Sequence, residues 1–187
     1  MEELIDVLDD NGYKTGIVKP KSKIKSDGDF HRAIAVCIIN DNQEILIQKR
    51  SSNKKVYPNL WSIFVKGHVR TGETSLYASQ REIYEELGFL VNVNELEYLY
   101  TIKEEKVANH HYIENIFFDT FLLKIDIDLK DIIIEKEEVS EVCFKNYQEV
   151  LNLIENSNIM IPNTKDYERI FSLLEENFKR KNKAYLK

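Results

Sequence analysis

Three glutamates within five residues, Glu82, Glu85 and Glu86, dominate the chemistry this chain could do. They lie in Arg81-Glu82-Ile83-Tyr84-Glu85-Glu86-Leu87-Gly88-Phe89, seven residues after Gly67-His68-Val69-Arg70-Thr71-Gly72-Glu73. On a helix, positions 82 and 86 are one turn apart and 85 flanks them, so the spacing projects all three carboxylates from one face. Like charges so placed oppose the helix by roughly 0.2–0.5 kcal/mol per pair. One arginine, Arg81, cannot neutralise three acids, and a cation relieves such a cluster. Hard divalent ions take oxygen ligands, and magnesium in particular binds a few carboxylates together with substrate phosphates and water. Glutamates standing alone would read as a solvated acidic helix face.

The elements around this segment have to hold it in place. From Thr74 to Leu87 the pattern is helical: Leu76, Ile83 and Leu87 fall on one side, Thr74 or Ser75 can cap the start, and Gly88 stands at the stop. Upstream, Leu4–Leu8 and Thr15–Val18 flank Asn11-Gly12, whose residues tolerate positive φ, and read as a hairpin. Lys19, Lys21, Lys23 and Lys25 around Pro20 read as a solvated basic loop. Ala33–Ile39 and Glu44–Lys49 read as a second hairpin of buried strands about Asn40-Asp41-Asn42. Leu96–Ile102 and Ile113–Ile125 read as two further strands, and Tyr147–Glu155 and a C-terminal segment within 165–182 as helices. Strands dominate the middle without a strict β-α-β rhythm, which predicts an α+β fold with a mixed sheet.

Composition narrows the class. The chain has 187 residues, 43% of them hydrophobic, which suits a single domain with a real core. No apolar run approaches the 18 or so residues of a membrane span. The start, Met1-Glu2-Glu3, is acidic where a secretory signal is basic. Two cysteines, Cys37 and Cys143, cannot build a disulfide framework and read as reduced thiols of a cytoplasmic protein. Twenty-six basic against 32 acidic residues leave a net charge of −6, which argues against a general nucleic-acid binder.

The segment from Gly67 to Phe89 resembles the signature of the Nudix (MutT-like) hydrolases: Gly, five residues, Glu, seven residues, Arg-Glu, an aliphatic, any residue, Glu-Glu, any residue, Gly, an apolar residue. Gly67, Glu73, Arg81, Glu82, Glu85, Glu86 and Gly88 match every fixed position. Seven such identities coincide by chance on the order of once in 10⁸ starts, at background frequencies of about 1 in 15. The resemblance implies a Nudix α/β/α sandwich with a mixed sheet over 29–187 as one globular unit, with residues 1–28 as an added N-terminal β-hairpin. It implies a Mg2+-dependent hydrolase, with Mn2+ able to substitute, that cuts a diphosphate linkage in a nucleoside diphosphate derivative. Matching positions in the family make Glu82 and Glu86 metal ligands, Glu85 a ligand or the base, and the Gly67 carbonyl a further ligand. Glu73 would be structural, paired with Arg81. The partner implied is a small-molecule diphosphate, without nucleic acid or membrane, and a homodimer is an assembly the family often forms.

A narrower resemblance covers most of residues 3 to 90. The Asp10-Asn11-Gly12 turn, Gly28-Asp29-Phe30-His31-Arg32-Ala33, Leu46-Ile47-Gln48-Lys49-Arg50 and Leu60-Trp61 are similar to the isopentenyl-diphosphate-isomerase-like branch. Isomerases of that branch carry a catalytic cysteine before the Gly-His pair, and here that position is Lys66. Lysine cannot supply a thiol, so isomerisation stands as an alternative reading, as does a non-catalytic nucleotide sensor. Lys49, Arg50 and Lys66 are candidate phosphate donors. His31 and His68 are candidates for metal or phosphate, against strand-packing and turn-capping roles. Tyr57, Trp61 and Tyr112 could stack on a base or simply pack. Glu114, Glu137, Glu138 and Glu141 are candidates for a further assisting glutamate, against solvated surface.

Overall fold

The computed structural model describes residues 2–109, 112–156, 158–161 and 167–175. Nine strands and three helices are named within these residues: β1 Leu4–Leu8, β2 Lys14–Pro20, α1 Lys21–Asp27, β3 Phe30–Ile39, β4 Ile45–Arg50, β5 Trp61–Ser62, β6 Phe64–His68, α2 Ser75–Leu87, β7 Leu96–Asn109, β8 Tyr112–Lys124, β9 Val139–Lys145 and α3 Tyr147–Asn156. Residues 167–175 are also helical, and the rest of the expected C-terminal helix lies outside the described residues. Among the described residues, no helix is long and apolar enough to cross a membrane.

β3 is the centre because it is apolar on both faces. Its residues Ala33 to Ile39 are all nearly inaccessible, as a strand with both faces covered must be. It runs parallel to β8 over ten residues, from Phe30↔Asn115 to Ile39↔Lys124, and antiparallel to β6 from Ala33↔His68 to Cys37↔Phe64. The sheet is therefore mixed, as the α+β reading predicts. Alternation then splits the core. Ile34, Val36 and Ile38 pack with Ala78, Ile83 and Leu87 of α2. Ala35, Cys37 and Ile39 pack on the other face with Val150 of α3 and with Tyr167, Ile170, Phe171 and Leu174. Helices cover both faces of one sheet, which is the expected sandwich. Both cysteines are free thiols, Cys37 buried and Cys143 partly so.

Two local expectations change. The basic stretch is not a loop: Lys19 ends up in β2 and Lys21 to Asp27 form α1, closed by Gly28 in the left-handed region (φ 72°). Ile24 drives this, since it is 1% exposed and packs with Ile5 and Val7 beneath the hairpin. Three of the four lysines are paired: Lys19 with Asp27 and Asp29, Lys21 with Glu3, and Lys25 with Glu114, while Lys23 is exposed. Nor do β3 and β4 form a continuous hairpin. They meet only at Ile39↔Ile45, after which β4 pairs with β9 and β5. The first hairpin is present, with β1 paired to β2 from Leu4↔Pro20 to Leu8↔Lys14.

Candidate active site

The acidic helix is anchored at both ends. Thr74 caps α2 by accepting from the Tyr77 N–H, satisfying one of the donors a helix start leaves unpaired. Ser75 Oγ donates to Asp119 Oδ2 on β8 at 2.5 Å, and Asp119 also accepts from Arg32 (2.7 Å) and Thr101 (2.6 Å). At the far end Gly88 adopts φ 76°, and the N–H groups of Ile133 and Glu135 donate to the carbonyls of Leu87 and Glu86. A side chain at Gly88 would also strike the Ile133 carbonyl, 2.6 Å from an added Cβ.

β6 brings Gly67 against this helix. A Cβ at Gly67 would lie 1.9 Å from Glu82 Cδ, so only glycine lets the strand approach the carboxylate. Glu82 and Glu86 share the inward face, at 9% and 6% exposure. Glu85 does not join them there: its side chain is 44% exposed. A step of three residues turns a helix by about 300°, which leaves position 85 at the solvent edge of the face that 82 and 86 occupy.

Arg81 is the organiser of the cluster. Its Nε and Nη2 fork onto Glu73 at 2.8 and 2.9 Å, Nη1 donates to Glu82 at 2.5 Å and Glu85 at 3.1 Å, and Nη2 also donates to the His68 carbonyl at 2.8 Å. The Glu73–Arg81 pairing expected from the motif is thus present. Glu86 has a neutral partner instead, accepting from Gln48 Nε2 at 2.7 Å. Burial pushes the Glu86 carboxyl up to about 8, against the lowering effect of that hydrogen bond, and Glu82 and Glu138 push it further in the same direction. Burial likewise raises Glu82, with Arg81 opposing. Among the described residues, no three acidic, histidine or cysteine side chains converge in a ready metal cage; arginines and Gln48 hold the carboxylates instead. The donor set still suits a hard cation: two desolvated carboxylates a turn apart, a third at the rim, and a glycine strand pressed against the first.

Strand parity sorts the other candidates. Gln48 and Arg50 of β4 lie on the α2 side, Gln48 bonded to Glu86 and Arg50 lowering its carboxyl through its charge. Arg50 Nε also donates to the Val56 carbonyl at 3.1 Å. Lys49 turns the other way, over the Trp61 ring at 5.9 Å and 4.0 Å from Glu141. Lys66 and His68 flank Gly67 on β6 and so face away from the acidic helix. The Lys66 ammonium sits over the Phe118 ring at 4.4 Å and the Phe64 ring at 5.0 Å, while His68 stacks on His31 at 5.2 Å. Of the acidic candidates, Glu114 pairs with Lys25, Asn53 donates to Glu137, and Lys54 pairs with Glu138. Glu138 is also close enough to raise Glu86. Tyr57 is exposed at φ 53° and Trp61 is partly buried; the Tyr112 side chain and the pair 110–111 lie outside the described residues. Gln48 escaped the sequence reading of the site. Its signal was a polar residue inside the apolar strand Ile45-Leu46-Ile47, at the parity that faces the helix.

His31 makes a testable electrostatic contribution. It is 1% exposed, and burial lowers its imidazole to about 4. The folded chain keeps it neutral while the unfolded chain protonates it near 6.5, so its contribution is intact above 6.5 and is lost as pH falls toward 4. The loss amounts to about 3 kcal/mol. Urea unfolding at pH 7.5, 5.5 and 4.0 should show it, and His31→Gln should flatten that part of the profile; an equally steep profile in the variant would dismiss the assignment.

Comparison with known proteins places this geometry. The family model for the NUDIX domain matches residues 29–166. The chain belongs to the Nudix family. Nudix hydrolase 3 of Arabidopsis thaliana is 40% identical over 157 residues, 82% of this chain, and the chain spans 20% of that protein's length. An uncharacterised Nudix hydrolase of Listeria monocytogenes is 32% identical over 87% of this chain and 89% of its own length. The Nudix relatives include isopentenyl-diphosphate isomerases, such as that of Photorhabdus laumondii, 29% identical over 84% of this chain and 86% of the isomerase. The crystal structure of DR0079 from Deinococcus radiodurans superposes over 93% of this chain and 98% of its own, with a TM-score of 0.64 at 19% identity. That likeness concerns the Nudix fold alone. The segment carrying the three glutamates lies within the matched stretch.

Proposed function

We propose that the chain is a divalent-metal-dependent hydrolase of a phosphoric anhydride in a nucleoside diphosphate derivative, working with Mg2+ and accepting Mn2+. The observation that carries this reading is the pair of desolvated carboxylates, Glu82 and Glu86, one turn apart on a helix pressed against Gly67. Buried acids in that arrangement are costly unless a cation joins them. In this reading Glu82, Glu86 and the Gly67 carbonyl hold the metal, with Glu85 as a further ligand or as the base. The bound ion would screen the diphosphate and acidify an attacking water.

The chain's own groups do the remainder. Glu85, exposed at the rim, is placed to accept a proton from water as its oxygen attacks phosphorus. The bridging P–O bond breaks, and its electron pair leaves with the departing phosphate or phosphorylated fragment. Arg81 keeps Glu82 and Glu85 oriented. Arg50, on the same side, is the best placed of the candidate phosphate donors. Lys49, Lys66 and His68 would reach only a substrate that wraps around the sheet edge to its other face.

The experiment is a product panel with Mg2+ and Mn2+: nucleoside diphosphates and triphosphates, sugar nucleotides, dinucleotides and isopentenyl diphosphate. Release confined to one nucleotide class supports the proposal and names the substrate. Isomerisation of isopentenyl diphosphate, despite Lys66 at the cysteine position, would replace it, and tight nucleotide binding without turnover would favour a sensor.

A further inference from the structure

The N-terminal hairpin, outside the matched Nudix segment of 29–166, reaches into the site. β1 docks beside the loop after β6: Ile5 bridges to Arg70, and the Thr71 N–H donates to the Leu4 carbonyl at 2.8 Å. Just before β1, Glu3 Oε1 accepts from Arg70 Nε at 2.8 Å and Nη2 at 2.7 Å, while its Oε2 accepts from Lys21 at 2.8 Å. The same Arg70 Nη2 lies 3.4 Å from Glu85 Oε1. Arg70 is thus held by two short contacts to Glu3 and one long contact to Glu85, and its backbone N–H is pinned to Glu73 at 3.0 Å.

Resting on the metal-site reading above, we propose that Glu3 is a positioning residue: it holds the Arg70 guanidinium back from Glu85, keeping that carboxylate available to a divalent ion. A guanidinium and a metal ion compete for one carboxylate, and the balance is set by whichever acid binds the guanidinium better. Glu3 offers the better geometry, with two donors on one oxygen against a single long contact at Glu85. Neutralising Glu3 leaves Glu85 as the charged side-chain partner of Arg70 among the described residues, and the guanidinium shifts toward it.

The test uses the full chain, with free Mn2+ read by its paramagnetic resonance signal so that binding is measured apart from turnover. Glu3→Gln is expected to weaken Mn2+ binding by about two- to fivefold, the scale of one partly exposed ion pair. Arg70→Met should tighten it, and the Glu3→Gln/Arg70→Met double variant should return to the parental value or below. Turnover should follow, with Glu3→Gln slowed at low Mg2+ and recovering as Mg2+ saturates. Unchanged Mn2+ binding in Glu3→Gln, or a double variant as weak as Glu3→Gln alone, would overturn the proposal. The two readings fail separately. If the parent binds Mn2+ and Glu86→Gln abolishes that binding, the metal site stands whatever Glu3 does; if Glu86→Gln has no effect on binding, the metal site itself falls.

Discussion

Glu86→Gln is expected to lower hydrolysis on the order of 10³-fold, which corresponds to about 4 kcal/mol of lost transition-state stabilisation, while the metal-free fold becomes more stable. The second half follows from burial. Glu86 is 6% exposed and its carboxyl is pushed up to about 8, with Gln48 as a neutral partner. Because the folded value lies above the unfolded one, this carboxyl's contribution to stability is greatest below about 4.5 and declines as pH rises toward 8. At pH 7 the decline amounts to about 3 kcal/mol. Glutamine keeps the shape and can still meet Gln48, yet carries no charge to desolvate. Thermal unfolding in the presence of a chelator, from pH 5 to 8, should show the variant's advantage over the parent growing as pH rises, the His31 contribution being common to both. Near-parental turnover in Glu86→Gln would sink the metal-ligand assignment. A variant that is inactive and less stable at pH 7 would point to a purely structural carboxyl.

Arg81→Met should be the most damaging surface-accessible change to the fold around the site. The guanidinium makes five hydrogen bonds, to Glu73, Glu82, Glu85 and the His68 carbonyl, with its side chain only 15% exposed. Removing it strands Glu82, which is buried, and Glu73, which is half-buried, without their counter-charge. Breaking a buried pair by deleting one partner costs about 3–5 kcal/mol, and the partial exposure of Glu73 and Glu85 argues for the lower end. For a chain of this size about 3 kcal/mol lowers Tm by roughly 10 °C. Arg81→Lys should recover little, since one ammonium cannot fork onto Glu73 while also reaching Glu82. Mn2+ should restore more of the Arg81→Met loss than of any loss in the parent, by supplying positive charge to the same carboxylates. A Tm within 2 or 3 °C of the parent, by about the same conversion, would show that Arg81 is dispensable.

Much of this site was legible along the chain because helices are local. Spacing of three and four residues placed Glu82 and Glu86 on one face of α2, Thr74 and Gly88 marked its ends, and Gly67 through Gly88 carried the Nudix signature. The β-branched run Ala33 to Ile39 likewise announced a central strand, since only a strand covered on both faces can be apolar throughout. α1 was missed because a single buried anchor, Ile24, fixes it among six polar neighbours, and one residue makes no periodic pattern.

What the tertiary structure alone decided is which side chains share a face across the sheet. Lys66 and His68 are next to Gly67 in sequence but turn away from the acidic helix, while Gln48, nineteen positions before Gly67, meets Glu86. Glu3 joins Glu85 through Arg70, which lies 67 positions further along the chain. Adjacent residues on a strand point to opposite faces, and a one-residue change of register exchanges the two sets. That register is set where β6 pairs with β3 and β1 docks beside Arg70, contacts between segments far apart in sequence, and no local spacing encodes them.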